Sequence, residues 1–163
     1  MAYSITNTTL GYQPIAGIDT VQNHPLGTRV QAKDPTYGVG EFIYLAGVAS
    51  TVTGSWVTFD QDGNTTALLA ANAIGPVAVA MGANVASSYG WYQIYGKAVG
   101  LALVGFVDNA NVYATATAGS VDDAIVAGDR VKSAKGASAV GTPSAGLAEF
   151  EIQYPLMDDG LAA

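Results

Sequence analysis

The 163-residue chain contains no cysteine, a single histidine and few charged residues. Without cysteine, disulfides, thiolate metal sites and cysteine nucleophiles are excluded. The lone histidine, His24, leaves little material for a catalytic triad or a zinc site, because both need an imidazole that a second group holds in place. Charged residues make up 12% of the chain, about half of the usual share of about 25%. The missing residue types are therefore those of catalysis rather than those of packing.

Basic residues are also scarce. The net charge is −7, from 13 acidic and 6 basic residues. A protein that binds nucleic acid usually presents a basic stripe, because contacts to phosphate dominate its affinity. The only basic cluster in this sequence consists of Arg130, Lys132 and Lys135. We therefore expect no direct binding to nucleic acid.

No run of apolar residues is long enough for a membrane helix. Residues 63–96 carry no charge, but several polar residues and the pair Gly75-Pro76 interrupt them, whereas a bilayer helix needs about 20 mostly apolar residues. The next apolar run covers only residues 98–107, and we interpret both stretches as buried strands. Residues 1–7 lack the basic and apolar regions of a signal peptide. We expect no membrane partner, and the absence of cysteine fits folding in a reducing cytosol.

Residues 1–27 differ from the rest of the chain. They are rich in Thr, Asn and Gln, and neither a helical nor an alternating apolar pattern persists there, which predicts an extended N-terminal arm. A mobile terminus is one interpretation. Docking on a partner or a neighbouring subunit is the other, because the arm carries isolated apolar residues: Tyr3, Ile5, Leu10, Tyr12, Ile15, Ile18 and Val21.

Residues 28–163 predict a single β-rich domain. Short segments of alternating or β-branched residues recur about every 8–12 residues between glycine-rich turns, which is typical of a sandwich or barrel. The predicted fold class is all-β, mainly an antiparallel β-sandwich or β-barrel, with little helix. Gly96 predicts a break between two strands, at residues 91–95 and 99–107, and residues 65–72 fit either a strand or one to two helical turns. The 28 alanines and 20 glycines suit close packing of sheets or of subunits.

The strand at residues 91–95 is the most aromatic segment. Trp91, Gln93 and Tyr95 share one face and Tyr92 and Ile94 the other, because side chains alternate along a strand. At least one aromatic side chain then lies outside the core, unless the strand is buried on both faces. Such a surface is a candidate subunit interface.

Tests for catalytic and metal-binding motifs are negative. Residues 60–64 (DQDGN) begin like a calcium loop but lack the later bidentate glutamate and flanking helices, so we interpret them as a turn. The adjacent acids at residues 122–123 and 158–159 would point to opposite faces of a strand and are interpreted as solvated turns. His24, next to Pro25, is interpreted as a surface or turn residue. We predict no catalytic residue, no metal site, no cofactor and no enzymatic activity.

Three segments resemble a known protein family. Residues 24–30 (HPLGTRV), 37–48 (YGVGEFIYLAGV) and 90–96 (GWYQIYG) are similar to the decoration, or cement, proteins of tailed-bacteriophage capsids, and residues 128–131 (GDRV) resemble turns in β-rich domains of this kind. The resemblance implies a virion structural protein that is made in the host cytoplasm and lies on the capsid surface. It would form a homo-oligomer, a dimer or a trimer, and would bind the major capsid protein so as to cement neighbouring subunits. Several modest contacts would gain strength from multivalency.

The arm and the aromatic strand supply the candidate contacts. Capsid or subunit contacts are expected at Tyr3, Ile5, Leu10, Tyr12, Ile15, Ile18, Trp91 and Tyr95. Two alternatives remain open: another phage structural subunit, such as a head fibre base or a tail component, or a carbohydrate-binding β module. An exposed Trp56 or Trp91 in a groove would favour the carbohydrate binder. A third alternative is an enzyme that works with carboxylates alone.

Overall fold

The computed structural model describes residues 13–158 and the backbone of Ser4–Ile5. All regular structure in this part of the chain is β, which confirms the predicted all-β class, and no helix there could cross a membrane. The strands form one antiparallel sheet that curls into a half-barrel. In chain order they are β1 (Ser4–Ile5), β2 (Ile18–Asp19), β3 (Arg29–Asp34), β4 (Gly38–Ala46), β5 (Trp56–Phe59), β6 (Thr66–Leu68), β7 (Val77–Ala80), β8 (Tyr89–Leu101), β9 (Asn111–Ala114), β10 (Val121–Asp122), β11 (Arg130–Gly136) and β12 (Leu147–Met157).

Strand β8 connects the two halves of the sheet. The sheet order is β1-β3-β4-β8-β12-β11-β9-β10, and β5, β6 and β7 branch from β8 through β7. The first half of β8 pairs with β4, β7 and β2, and the second half pairs with β12. The longest strand therefore contacts partners from almost the whole described chain.

The predicted strand break at Gly96 is wrong. Strand β8 continues through Gly96, which adopts a φ of 100°, and the pairing with β4 shifts by one residue between Glu41 and Phe42. The buried Gln93 amide spans this irregularity, because its Nε2 donates to the carbonyls of Tyr95 and Lys97 at 3.1 and 3.2 Å. Glycine and glutamine thus turn the expected break into a bulge inside one strand.

The strand predicted over residues 99–107 is too long at its C-terminal end. Strand β8 stops at Leu101, and residues 104–105 form a turn in which Val104 is 97% exposed. Only Phe106 returns to the core, where its ring lies 5.2 Å from that of Phe150. The ambiguous segment at residues 65–72 contains a short strand, β6, and no helical turn.

Strands β4 and β8 are buried on both faces. Phe42, Tyr44 and Trp91 belong to one hydrophobic cluster, and alternate residues of the same strands, including Tyr92 and Ile94, belong to a second. Residues 91–94 of the aromatic strand are therefore buried on both sides, and Tyr95 is the aromatic residue of this strand that lies outside the core. A third cluster, in which the Trp56 and Phe150 rings meet edge to face at 4.9 Å, fills the half-barrel around β12.

The described part of the predicted arm packs on the chain's own sheet. Ile15 is buried in the same cluster as Tyr44 and Trp91, and β2 pairs with the start of β8. The Tyr44 hydroxyl donates to Asp19 Oδ2 at 2.6 Å. Residues 13–27 thus cover an aromatic face of β4 and β8, and a deletion ending at residue 27 would remove part of the core.

Because Tyr92 is buried, the stability of the fold depends on pH in the alkaline range. Burial raises the pKa of Tyr92 to about 12, and its hydroxyl has no hydrogen-bond partner with good geometry. Above pH of about 10 the unfolded chain loses this proton while the folded chain keeps it, so stability falls by about 1.4 kcal/mol per pH unit up to the folded pKa. Burial also raises the pKa of Tyr44 to about 12, which adds to the same decline.

We expect Tyr92→Phe to be neutral or stabilising at pH 8, because the buried hydroxyl forms no hydrogen bond of good geometry with its neighbours Thr66 and Asn84. The variant should also lose stability less steeply than the wild type between pH 10 and 12, with Tyr44 responsible for the slope that remains. Urea unfolding at a series of pH values measures both effects. Equal alkaline slopes in the two proteins would show that Tyr92 does not retain its proton on folding.

Candidate interaction surface

An apolar groove of about 410 Å³ opens on the surface beside the end of β12. Its floor consists of buried side chains, including Phe59, Ile94 and Met157, and its walls carry exposed apolar side chains. Ile74 is 68% exposed and Leu156 46% exposed. The full lining is Arg29, Phe59, Gln61, Ile74, Gly75, Pro76, Val77, Ile94, Tyr154, Pro155, Leu156 and Met157.

Backbone hydrogen bonds hold the two walls of the groove together. The amide of Met157 donates to the carbonyl of Gly75 at 2.9 Å, and the amide of Phe59 donates to the carbonyl of Pro76 at 3.1 Å. A β-bridge joins Pro76 and Leu156. The groove is therefore preformed, so a ligand would not have to order it on binding.

Tyr154 lines one edge of the groove, and Tyr95 packs against Tyr154 from outside the lining. We call this pair the rim. The rings of Tyr95 and Tyr154 lie 5.5 Å apart, and the Tyr154 hydroxyl donates to Glu41 Oε2 at 2.5 Å. Gln31 Nε2 donates to the other oxygen of Glu41 at 2.9 Å. These contacts fix two exposed aromatic rings in one orientation.

The same hydrogen bonds shift two pKa values in opposite directions. The bond from Tyr154, followed by that from Gln31, lowers the pKa of Glu41, because both stabilise the carboxylate. The bond to Glu41 raises the pKa of Tyr154. At neutral pH the rim therefore keeps an ionised carboxylate and a protonated phenol.

Of the candidate contact residues, Tyr95 lies on this rim. Ile18 is exposed too, but it pairs with Gly90, five positions before Tyr95 on β8, which is about 17 Å along a strand. Ile15 and Trp91 are buried in the chain's own core, where neither side chain reaches the surface. Tyr3, Leu10 and Tyr12 lie outside the described residues, and the structure describes only the backbone of Ile5.

His24 contributes to the core rather than to a reactive site. Its ring meets Tyr44 edge to face at 5.1 Å and lies 5.4 Å from the ring of Trp91. Its Nε2 lies 2.8 Å from Gln13 Oε1. The half-buried ring therefore helps to attach residues 13–27 to the aromatic cluster.

The acidic motif at residues 60–64 forms a turn, as the sequence predicts. The Asp60 carboxylate accepts hydrogen bonds from the amides of Asp62 and Gly63, both at 2.9 Å, which lower its pKa. Within residues 13–158, no three His, Asp or Glu side chains are close enough together to hold a metal ion.

Sequence reasoning missed most of this surface. Ile74, Tyr154 and Leu156 carry no local signal, because Tyr154 meets Glu41 across 113 residues of sequence and the loop at Ile74 meets the distant end of β12. The alternation of residues 147–154 even predicts Tyr154 on the buried face, with Phe150 and Ile152. Its side chain is 47% exposed instead, because a φ of 51° at Tyr154 and a register shift of β12 against β11 interrupt the alternation. Long-range pairing alone assembles the groove.

Comparison with protein-family models, with curated proteins and with solved structures finds no match to this chain. The groove and its tyrosine rim are therefore the basis of the functional assignment.

Proposed function

We propose that the protein is a virion structural protein, a decoration or cement protein that binds the outer surface of a tailed-bacteriophage capsid. It joins neighbouring major capsid subunits and acts as a homo-oligomer, a dimer or a trimer. The observation that carries this proposal is a preformed apolar groove with a fixed aromatic rim on an all-β domain. The resemblance of residues 24–30, 37–48 and 90–96 to the family supports it.

The composition of the groove suits protein binding. Interface centres are enriched in tyrosine and arginine and depleted in most other charges, and this groove carries Tyr154, Arg29 and a series of aliphatic side chains. A rigid surface loses little entropy on binding. Repetition of the same groove in an oligomer would turn weak contacts into tight attachment.

A carbohydrate-binding module is the second candidate, because the exposed tyrosines Tyr95 and Tyr154 stand beside the polar side chains of Glu41 and Gln31. The tryptophans that would favour it in the sequence, Trp56 and Trp91, are buried. Fluorescence titration with oligosaccharides tests this candidate, since stacking of a sugar on the tyrosines should change their emission. A head fibre base or tail component would use the groove against a different virion protein.

Co-sedimentation with capsids that lack the protein tests the proposal. We expect saturable binding at a fixed ratio to the major capsid protein. Binding to isolated tail or fibre components but not to capsids would move the protein to another place in the virion. Absence of binding to any shell would rule out the decoration function.

A groove variant, Ile74→Ser with Leu156→Ser, should fold normally, because both side chains are exposed. It should bind capsids at least about tenfold more weakly, which corresponds to about 1.4 kcal/mol. The matched control is Val104→Ser with Ile125→Ser, which removes two exposed apolar side chains outside the groove. Equal losses in both variants would mean that general surface hydrophobicity, rather than the groove, drives binding.

A further inference from the structure

The groove continues into a small polar depression at one end. This depression, of about 200 Å³, is lined by Gly27, Arg29, Ile43, Phe59, Gln61 and Asn64, and it shares Arg29, Phe59 and Gln61 with the apolar groove. Together they form one site with an apolar section and a polar end. The polar end presents a guanidinium and two side-chain amides.

Within residues 13–158, no acidic side chain lines either section of this site. That absence is unusual in a chain with 13 acidic and 6 basic residues. Lys97 and Lys132 form salt bridges with Glu149 and Asp158 at 2.6 and 2.5 Å, whereas Arg29 forms no salt bridge with any residue in 13–158. Arg29 helps to lower the pKa of Glu41 through its charge, but no hydrogen bond or salt bridge joins the two among the described residues, and Glu41 accepts hydrogen bonds from Tyr154 and Gln31 instead. The guanidinium therefore remains available to an external carboxylate.

We propose that this site binds an extended peptide segment of the protein's binding partner, in which an aspartate or glutamate lies next to apolar residues. The carboxylate pairs with Arg29, and the neighbouring apolar side chains fill the groove between Ile74 and Leu156. An arginine and a carboxylate can form two parallel hydrogen bonds, which orient the segment as well as attract it. The inference specifies which chemical groups the proposed capsid-binding surface recognises. It rests on the proposed decoration function for the identity of the partner.

The geometry favours an extended chain over a helix. Backbone hydrogen bonds between Met157 and Gly75 and between Phe59 and Pro76 hold the walls in place, so the groove does not widen to take a helix of about 10 Å diameter. A volume of about 410 Å³ has room for a few side chains of an extended segment. Apolar side chains at alternate positions then enter the groove, as in a strand.

NMR titration of the full ¹⁵N-labelled chain tests the inference. The probes are two peptides, acetyl-Asp-Leu-Val-Leu-amide and the reversed acetyl-Leu-Val-Leu-Asp-amide, each compared with a counterpart in which Asn replaces Asp. We expect amide shifts at Gly75, Val77 and Leu156, and about tenfold tighter binding of one Asp peptide than of its Asn counterpart. Arg29→Gln should abolish that difference, and Lys135→Gln, which removes an exposed cation outside the site, should preserve it.

Several results would overturn the inference. These are the absence of groove shifts at a peptide concentration of about 1 mM, equal binding of the Asp and Asn peptides, and an Asp preference that survives Arg29→Gln. Decanoate binding without peptide binding would identify an apolar acid instead. If deletion of residues 159–163 raises peptide affinity, the chain's own C-terminal segment is the occupant and the inference fails.

The same Arg29→Gln protein separates this inference from the proposed function. If wild-type protein binds capsids and Arg29→Gln binds them equally well, the decoration function stands and the peptide site is wrong. If the peptides bind as expected and no capsid is bound, the site stands and its partner lies elsewhere.

Discussion

Trp91→Ala should lower the free energy of unfolding by about 3–5 kcal/mol, because it empties a packed aromatic cluster. Trp91 is 1% exposed, and its ring lies 5.1 Å from that of Tyr44 and 5.4 Å from that of His24. The truncation also removes the surface on which Ile15 packs. Urea unfolding followed by circular dichroism measures the loss, and proteolysis within residues 13–27 should become faster.

Tyr95→Ala is the matched control on the same strand. Tyr95 is 39% exposed and sits on the groove rim, so its truncation should cost about 1 kcal/mol or less in stability while it weakens partner binding. Trp91→Ala should therefore destabilise the fold, whereas Tyr95→Ala should impair partner binding. A Trp91→Ala protein that is stable but does not bind would instead make Trp91 a contact residue, as the sequence suggests.

Gly96→Ala should lower the free energy of unfolding by about 3 kcal/mol or more. Gly96 adopts a φ of 100°, which is strained for any other residue at about 1–3 kcal/mol. A Cβ there would also lie 2.6 Å from the carbonyl oxygen of Val39. Since that oxygen belongs to the backbone of β4, the pairing of β4 with β8 would have to shift.

Gly105→Ala separates the cost of backbone strain from the cost of the close contact with Val39. Gly105 has a similar φ of 106°, but a Cβ there would meet nothing within 4 Å, so this variant reports the backbone strain alone. Thermal unfolding of both variants gives the additional cost of the close approach at Gly96. If the two variants lose equal stability, the contact with Val39 costs nothing and the bulge is more adaptable than its geometry indicates.

Local patterns in the sequence predict much of the fold. The strands at residues 29–33, 41–48 and 147–154 are predictable from the sequence, because alternation and turn signals extend over only a few positions. Gly96 misled the prediction, because a glycine that ends a strand and one that permits a bulge look alike in sequence. Val104 was assigned to a strand on its apolar character alone, although single exposed apolar residues are common on protein surfaces.

The candidate site was far less predictable. Only Tyr95 was recognised, because its strand is conspicuously aromatic. Trp91 lies four positions away and is buried, and nothing local separates the two: residues 13–27 cover Trp91 but leave Tyr95 open. The partners of Tyr95 on the rim, Tyr154 and Glu41, come from strands that only the tertiary fold brings together.

The central position of β8 has a consequence for synthesis of the chain. Its second half ends at Leu101, and the strand that pairs with it, β12, begins only at Leu147. At translation rates of about 5–20 residues per second, this half of β8 waits for about 2–9 s without its strand partner. During that time the unpaired backbone around Val99 is exposed to pairing with another nascent copy. Because this pairing joins two nascent chains, strong expression should favour aggregates. Weaker expression, which lowers the concentration of nascent chains without slowing elongation, should favour the folded chain.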